Sequence, residues 1–396
     1  MSEPPPTLSS RREFLFLYDI KMGNPNGDPD ENRPRVLPDG THYVTDVRLK
    51  RFVRDFFKSQ GRKILVDTIE GKTTNLAGRV AHYLAVTGRK KVETQSEILS
   101  ILLDAFIDAR LFGSSFAFKD QKSTGKTETS SGSSRVESEE AGGESGEERN
   151  EESEESAPKQ KGAKKQKGEK KESKLVSGSA QINGVRETVQ WASPKTLTGA
   201  VQIQHGEVKH LAREVDIHGT SIFGSDDEKT QGTFTSYFGL RYALIAFHGV
   251  ANEHSAKLSK MTNDDYNDLL KALWYGVRSA ANTRTKRGQV PQLLLSVEYK
   301  PGEEFQFGRL SDYVKLLPRN NKDEPLDWAS PEDYFVDLSI LIQRLKAQAP
   351  RIERVRYCVS PDVVMIEGST TAEWSKSIGS AVEDLAFDDP SKEQST

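Results

Sequence analysis

The sequence predicts an α+β fold, and three observations carry that prediction. Residues 14–20, Phe14-Leu15-Phe16-Leu17-Tyr18-Asp19-Ile20, form an apolar run of strand length. Leu49, Phe52, Val53, Phe56 and Phe57 then recur at the i, i+3, i+4, i+7, i+8 spacing of a helix with one buried stripe. Further along, two strand-like runs at 240–247 and 292–299 flank a helix whose stripe is Tyr266, Leu269, Leu270, Leu273, Trp274 and Val277. Strand–helix followed by strand–helix–strand suits a sheet with helices on one face.

Each element has its own justification. The first strand covers 13–21 and leads into a turn at 24–30, Asn24-Pro25-Asn26-Gly27-Asp28-Pro29-Asp30, whose residue types tolerate left-handed backbone angles. A helix over 46–59 follows, with Thr45 or Asp46 as its cap. Ile98, Ile101, Leu102, Ala105 and Phe106 mark another helix. The long helix has Asn263 as its expected cap, with Asp264 and Asp265 in the first turn, and 354–359 reads as a late strand. No repeat of fixed period is visible.

Composition divides the chain. Residues 119–174 are low-complexity, Ser/Gly/Glu-rich and then Lys-rich, and are expected to be disordered because so little apolar surface cannot offset chain entropy. The expected organisation is 13–118 and 175–366 as the ordered parts, 119–174 as an insert and 367–396 as an acidic flexible tail. The chain carries 56 Lys and Arg against 59 Asp and Glu, net −3, so a bulk basic signature is absent. Removing the acidic tail, the insert and the first residues leaves a near-neutral core, which can still hold RNA if its cations cluster on one face. Cys358 is the single cysteine, so no intrachain disulfide forms, and a reducing cytoplasmic setting is expected. No apolar run reaches the roughly 20 residues of a membrane helix, and Met1–Pro6 lacks a signal-peptide pattern.

The residues that could carry chemistry are mostly cations and amides. The turn at 24–30 is either a plain connection or a nest of N–H donors and amides, Asn24 and Asn26 among them, facing phosphate. A calcium loop starting at Asp28 fails, with Arg33 where glycine is needed and Asp39 where glutamate is needed. The 46–59 helix carries Arg48, Lys50, Arg51, Arg54 and Lys58 beside its apolar stripe, either a solvated face or a grip for successive phosphates. Lys195, Lys209, His210 and Arg213 precede an apolar pair, Ile222 and Phe223, in a polar loop, where it serves as a core anchor or a wedge between bases. Arg284, Lys286 and Arg287 form a compact basic loop. Enzyme signatures mostly fail: Gly125-Lys126-Thr127 lacks the upstream glycine of a phosphate loop, there is no nucleophile elbow, and His205 and His210 lack zinc partners. Asp19, Asp28 and Asp30 could in principle hold Mg²⁺, but no general base accompanies them. Neither a cofactor nor a metal is expected.

At this point a family resemblance enters. Asn24-Pro25-Asn26-Gly27-Asp28-Pro29 after a strand, then Val44-Thr45-Asp46-Val47-Arg48-Leu49-Lys50-Arg51, resemble the Cas7-type backbone subunit of type I CRISPR Cascade complexes, in the RAMP superfamily, nearest subtype I-B and then I-C. Supporting blocks are Asp108–Gly113, Leu197–Gln202, Phe238–Leu244, Ala272–Gly276 and Gln289–Leu294. The likeness runs from about 13 to 318, apart from the insert. It implies a ferredoxin-like, RRM-like palm with a β-hairpin thumb. It further implies a non-catalytic subunit of antiviral defense that binds CRISPR RNA, stacks with copies of itself and other Cascade subunits along the guide, and presents that guide to target DNA. By position it implies that Lys50, Arg51 and Arg54 hold phosphates, that Asn24 and Asn26 line the palm loop, and that the thumb contains Ile222 and Phe223, with Phe223 the wedge. The alternative kept open is a metal-dependent ribonuclease using Asp28 or Asp30.

Overall fold

The computed structural model describes residues 6–114, 175–182, 184–193, 196–220, 234–280, 284–319, 323–367, 369–378 and 381–387. The insert at 119–174, Lys195, Ile222 and Phe223 lie outside the described residues.

The apolar run near the N-terminus becomes β1 (Arg12–Gly23), the middle strand of the main sheet. Its side chains alternate: Phe14, Phe16, Tyr18 and Ile20 enter one core, while Leu15 and Leu17 enter another on the opposite face. A strand buried on both faces reads as continuous rather than alternating hydrophobicity. After it come α1 (Asp46–Ser59), α2 (Leu76–Val86), α3 (Gln95–Ala105) and α4 (Ile107–Phe112). Beyond the insert lie β2 (Leu175–Ile182), β3 (Val185–Ala192), β4 (Val201–Ile203), β5 (Gly206–Val208), β6 (Glu214–Thr220) and β7 (Phe234–Ala251). The chain continues through α5 (Asn263–Ser279), β8 (Gln289–Tyr299), α6 (Ser339–Ala347) and β9 (Ile352–Val359).

β1 pairs antiparallel with β7 on one side, from Arg12 opposite Ala251 to Gly23 opposite Leu240, and with β8 on the other. β9 extends the sheet beyond β8, and β4, β5 and β6 extend it beyond β7. Helices α1 and α5 pack on the first face, where Leu49, Phe52, Val53 and Phe57 meet Tyr266, Leu269, Leu273 and Trp274. Thr45 caps α1, its hydroxyl accepting from Arg48 N at 3.3 Å. Thr262, rather than Asn263, caps α5 in a capping box with Asp265.

Two expectations are corrected and one element is added. Helices do not keep to one face: α6, the helix Thr371–Ile378 and the segment around Trp328 and Tyr334 cover the second, because Leu15, Leu17, Leu293 and Leu295 make that face apolar too. The region after 367 is not simply a flexible tail. Trp374 is buried, Val382–Asp384 pairs parallel with β9, and Phe387 packs against Trp274 and Tyr275; residues 388–396 lie outside the described set. The hairpin β2–β3 was not foreseen. It packs on α2 and α3 as a third core around Trp191, Val80, Leu84 and Leu102.

Candidate nucleic-acid interface

The cationic side of α1 does not stand free. Lys50 Nζ lies 2.7 Å from Asp46, and Arg51 Nε lies 2.9 Å from Asp55. Arg54 Nε donates to Asp108 Oδ2 at 3.1 Å with only 12% of its side chain exposed, and its guanidinium sits 5.3 Å from the Phe112 ring centre. Asp108, 1% exposed, also accepts from Leu65 N at 2.8 Å and Val66 N at 3.1 Å. Arg54 therefore braces the chain leaving α1. The expectation that Lys50, Arg51 and Arg54 form one phosphate-gripping face is corrected for Arg54, which the fold commits to Asp108, an acid 54 residues away; Lys50 and Arg51 pair with Asp46 and Asp55 on their own helix. Arg48, half-buried beside Phe52, is the α1 cation with no carboxylate partner among the described residues.

The amides of the 24–30 turn also point inward. Asn24 is 1% exposed and donates through Nδ2 to Asn32 O at 2.6 Å. Asn26 is 5% exposed, and its Oδ1 accepts from Thr45 N at 2.9 Å and Thr45 Oγ1 at 2.8 Å. It thereby fixes the residue that caps α1. Neither amide lines a surface, so both are positioning residues, which corrects the palm-loop reading. Asp28 Oδ1 accepts from the N–H groups of Asp30 and Glu31, and no group of three or more His, Cys, Asp or Glu among the described residues is arranged for a metal.

Cations converge instead at the end of the sheet where β1 finishes. Lys21 N donates to Gly288 O at 3.2 Å, setting Lys21 beside Arg287; Lys286 Nζ donates to Asn24 O at 2.6 Å. On the other side of β1, Lys21 faces Tyr242, and Arg241 N donates to Arg213 O at 2.8 Å. Lys21 and Arg287 are exposed and have no acidic partner among the described residues. Arg213 and Arg241 share one exposed carboxylate, Asp327, at 3.2 and 4.0 Å. Gly288 (φ +80°) permits the close crossing: a Cβ there would meet Lys21 O at 2.7 Å. Met22, also exposed on this rim, has a left-handed backbone (φ 52°), a conformation costly for a non-glycine residue. The rim gathers Arg213, Lys286 and Arg287 from the sequence-based set. It adds Lys21, Met22 and Arg241, which isolated positions on strands do not announce. Lys209 instead turns to Ser311 O at 3.0 Å and ties the two layers together. The side chains of Arg284 and Phe223 lie outside the described residues.

A polar cluster is buried between the rim and the second layer. Asp19 is 5% exposed, accepts from Tyr242 Oη at 2.9 Å, and has the Gln292 amide beside it; Tyr242 Oη lies 2.7 Å from Tyr334 Oη. Burial lifts the Asp19 carboxyl to about 6, and burial lowers His210, stacked on Tyr242, to about 4. A carboxyl raised on folding contributes stability below its unfolded pKa and loses it as pH rises through about 6. A histidine lowered on folding contributes stability above about 6.5 and loses it as pH falls towards 4. The two trends oppose each other between pH 4 and 6. Asp19→Asn leaves the histidine trend alone. The displacement from 3.8 to about 6 corresponds to ~3 kcal/mol, so the variant should melt higher than the parent at pH 7.5 and lose stability more steeply on acidification. Thermal melts from pH 4 to 8 check this; parallel curves would refute it.

With the geometry described, comparison with known proteins decides the family. The family model for CRISPR-associated protein Cas7 matches residues 10–176 and 148–339. The chain belongs to the Cas7 family. A curated relative, the CRISPR-associated protein Cas7 of Haloferax volcanii, is 26% identical over 353 residues, covering 88% of this Cas7-family chain and 86% of the relative. Two solved chains, from a CRISPR RNA-guided surveillance complex in a pre-nicking state and from a CRISPR RNA-guided surveillance complex, have TM-scores of 0.42 and 0.38 at 11% and 12% identity. They cover 93% and 92% of this chain and 99% and 98% of their own lengths.

Proposed function

We propose that this chain is a CRISPR RNA-binding backbone subunit of a type I Cascade surveillance complex, nearest I-B and then I-C, working in the cytoplasm. Copies align head to tail along the guide with other Cascade subunits and present it for pairing with target DNA. The observation that carries the reading is the cationic rim of Lys21, Arg213, Arg241, Lys286 and Arg287. Cations along one sheet end, with Lys21, Arg213 and Arg287 exposed and Arg241 and Lys286 half-buried, suit a ribose-phosphate strand held without regard to sequence, while discrimination is left to base pairing. The order β8–β1–β7 with β4, β5 and β6 beyond, and α1 and α5 on one face, supports a ferredoxin-like palm. The hairpin β6–β7 supports a thumb. Membership of the Cas7 family supports a structural rather than catalytic role.

The test is direct. Protein purified without nuclease treatment should show excess absorbance at the nucleic-acid wavelength and release RNA of uniform length. Oligomers of the same size that persist after nuclease treatment, in protein that never held RNA, would replace the reading with an RNA-independent scaffold.

A further inference from the structure

Met22 is out of step with its strand. Phe14, Phe16, Tyr18 and Ile20 alternate into the first core, and a period of two would carry Met22 in after them. Instead Lys21 and Met22 are exposed in succession, and Met22 shows 46% of its surface. Its left-handed backbone (φ 52°) makes the break. The chain forgoes the burial of a large apolar side chain and accepts a backbone conformation disfavoured for it. Such a residue persists only where its surroundings over-determine it.

The surroundings of Met22 do so. Asn24 N donates to Thr285 O at 2.8 Å, Lys21 N donates to Gly288 O at 3.2 Å, and Lys286 Nζ donates to Asn24 O at 2.6 Å. On the other side of β1, Lys21 pairs with Tyr242 and Gly23 with Leu240, which sets Met22 level with Arg241. Gly23 has no room for a side chain: a Cβ there would meet Thr285 O and Ile20 Cδ1, both at 2.8 Å. Met22 is therefore the last exposed side chain of β1, on a backbone clamped from both sides. Cations surround it in the chain and in the sheet: Lys21 precedes it, Arg241 stands opposite, and Arg287 adjoins the glycine that Lys21 bonds. A strand whose phosphates meet these cations carries its bases past the apolar side chain set among them.

We infer that Met22 is a wedge that enters between two successive bases of the RNA held on the rim and breaks their stacking. Apolar side chains, methionine among them, part base steps in other nucleic-acid complexes. The unbranched thioether bends to fit, and its sulfur makes favourable contacts with aromatic rings. Every base has such a face, so the wedge is as indifferent to sequence as the phosphate contacts around it. Phe223, to which the family resemblance assigns a wedge, belongs to a different segment of the chain, and the two roles are tested apart. The inference rests on the RNA-binding reading above and adds what the grip does to the strand: it sets where the stack is interrupted, whichever bases stand there.

The experiment uses full-length, nuclease-treated protein and oligo(A) strands in which 2-aminopurine replaces adenine at successive positions. This base analogue is dim when stacked and bright when a stacked neighbour is lost. The parent protein should raise its emission about two-fold or more in at least one position. Met22→Gly should lose that rise and weaken binding about five-fold or more by fluorescence anisotropy, with the salt slope unchanged. Its melting temperature should stay within about 2 °C of the parent's, because relief of the left-handed strain offsets the added chain entropy. Met22→Leu keeps an apolar tip and should retain the rise. Lys21→Ala with Arg287→Ala should lower affinity and salt slope together while the rise at saturation stays. A rise that persists in Met22→Gly, or an affinity that does not fall, would overturn the wedge while the RNA-binding reading stands. Loss of RNA-free oligomers in Met22→Gly, with no change of emission in the parent, would overturn it too and give the side chain to a contact between copies. No binding to any strand would overturn both readings.

Discussion

Lys21→Ala combined with Arg287→Ala should weaken binding of single-stranded RNA of any sequence and make the salt dependence shallower by about 1.4 on a log–log plot. Each phosphate released from a cation removes about 0.7 from that slope for a single strand. The two side chains are exposed and have no acidic partner among the described residues, so nothing in the fold is lost with them. The melting temperature should stay within about 1 °C, because surface substitutions of this kind fall within roughly 0.5 kcal/mol. Lys50→Ala with Arg51→Ala is the matched control. It removes the same charge from α1, but both cations already hold carboxylates one turn away, at 2.7 and 2.9 Å. Filter binding over a salt series separates the two. Equal losses from both double variants would mean that α1, and not the sheet end, meets the strand.

The contrast between those two sites shows what a sequence discloses. Periodicity locates α1 to the residue, because the apolar stripe Leu49, Phe52, Val53 and Phe57 is itself the cause of the helix packing where it does. The middle strand is equally legible, since both of its faces are buried and every position is constrained. The distant partners of a charge are not legible. Asp108 lies 54 residues from Arg54 and Asp67 lies nine from Lys58, and only the folded chain brings them together. Apart from the basic loop with Lys286 and Arg287, the rim is assembled from single residues on β1, β7 and the loop before β6, which no local pattern marks. Asn24 and Asn26 are conspicuous as a motif because the turn uses their side chains for its own hydrogen bonds, to Asn32 O and from Thr45. The hairpin β2–β3 was hidden by polar, small residues on its open face; of its buried residues Ala180, Val189, Trp191 and Ala192, only Val189 and Trp191 alternate, too short a pattern to mark a strand.

The largest stability effect should come from Asp108→Ala. The carboxylate is 1% exposed and carries three bonds: Arg54 Nε at 3.1 Å, Leu65 N at 2.8 Å and Val66 N at 3.1 Å. Its removal leaves a mostly buried guanidinium uncompensated and two backbone donors unpaired. Breaking a buried ion pair from one side costs roughly 3–5 kcal/mol, which for a chain of this size is on the order of 10 °C in melting temperature. Asp108→Asn should recover little, since one of its two amide positions presents N–H where a backbone N–H already points. Arg54→Met separates bracing from binding. It keeps the aliphatic stem against Phe112, removes the charge, and leaves Asp108 its two backbone bonds. Bracing predicts a lowered melting temperature with unchanged RNA affinity in the folded fraction. A phosphate grip predicts the reverse, and calorimetry paired with anisotropy on the same sample distinguishes them. Because Asp108, in α4, holds Leu65 of the third core, its loss should loosen that core around Trp191 before the main sheet. Hydrogen exchange should therefore rise first in α2, α3 and the hairpin β2–β3, with β1 still protected.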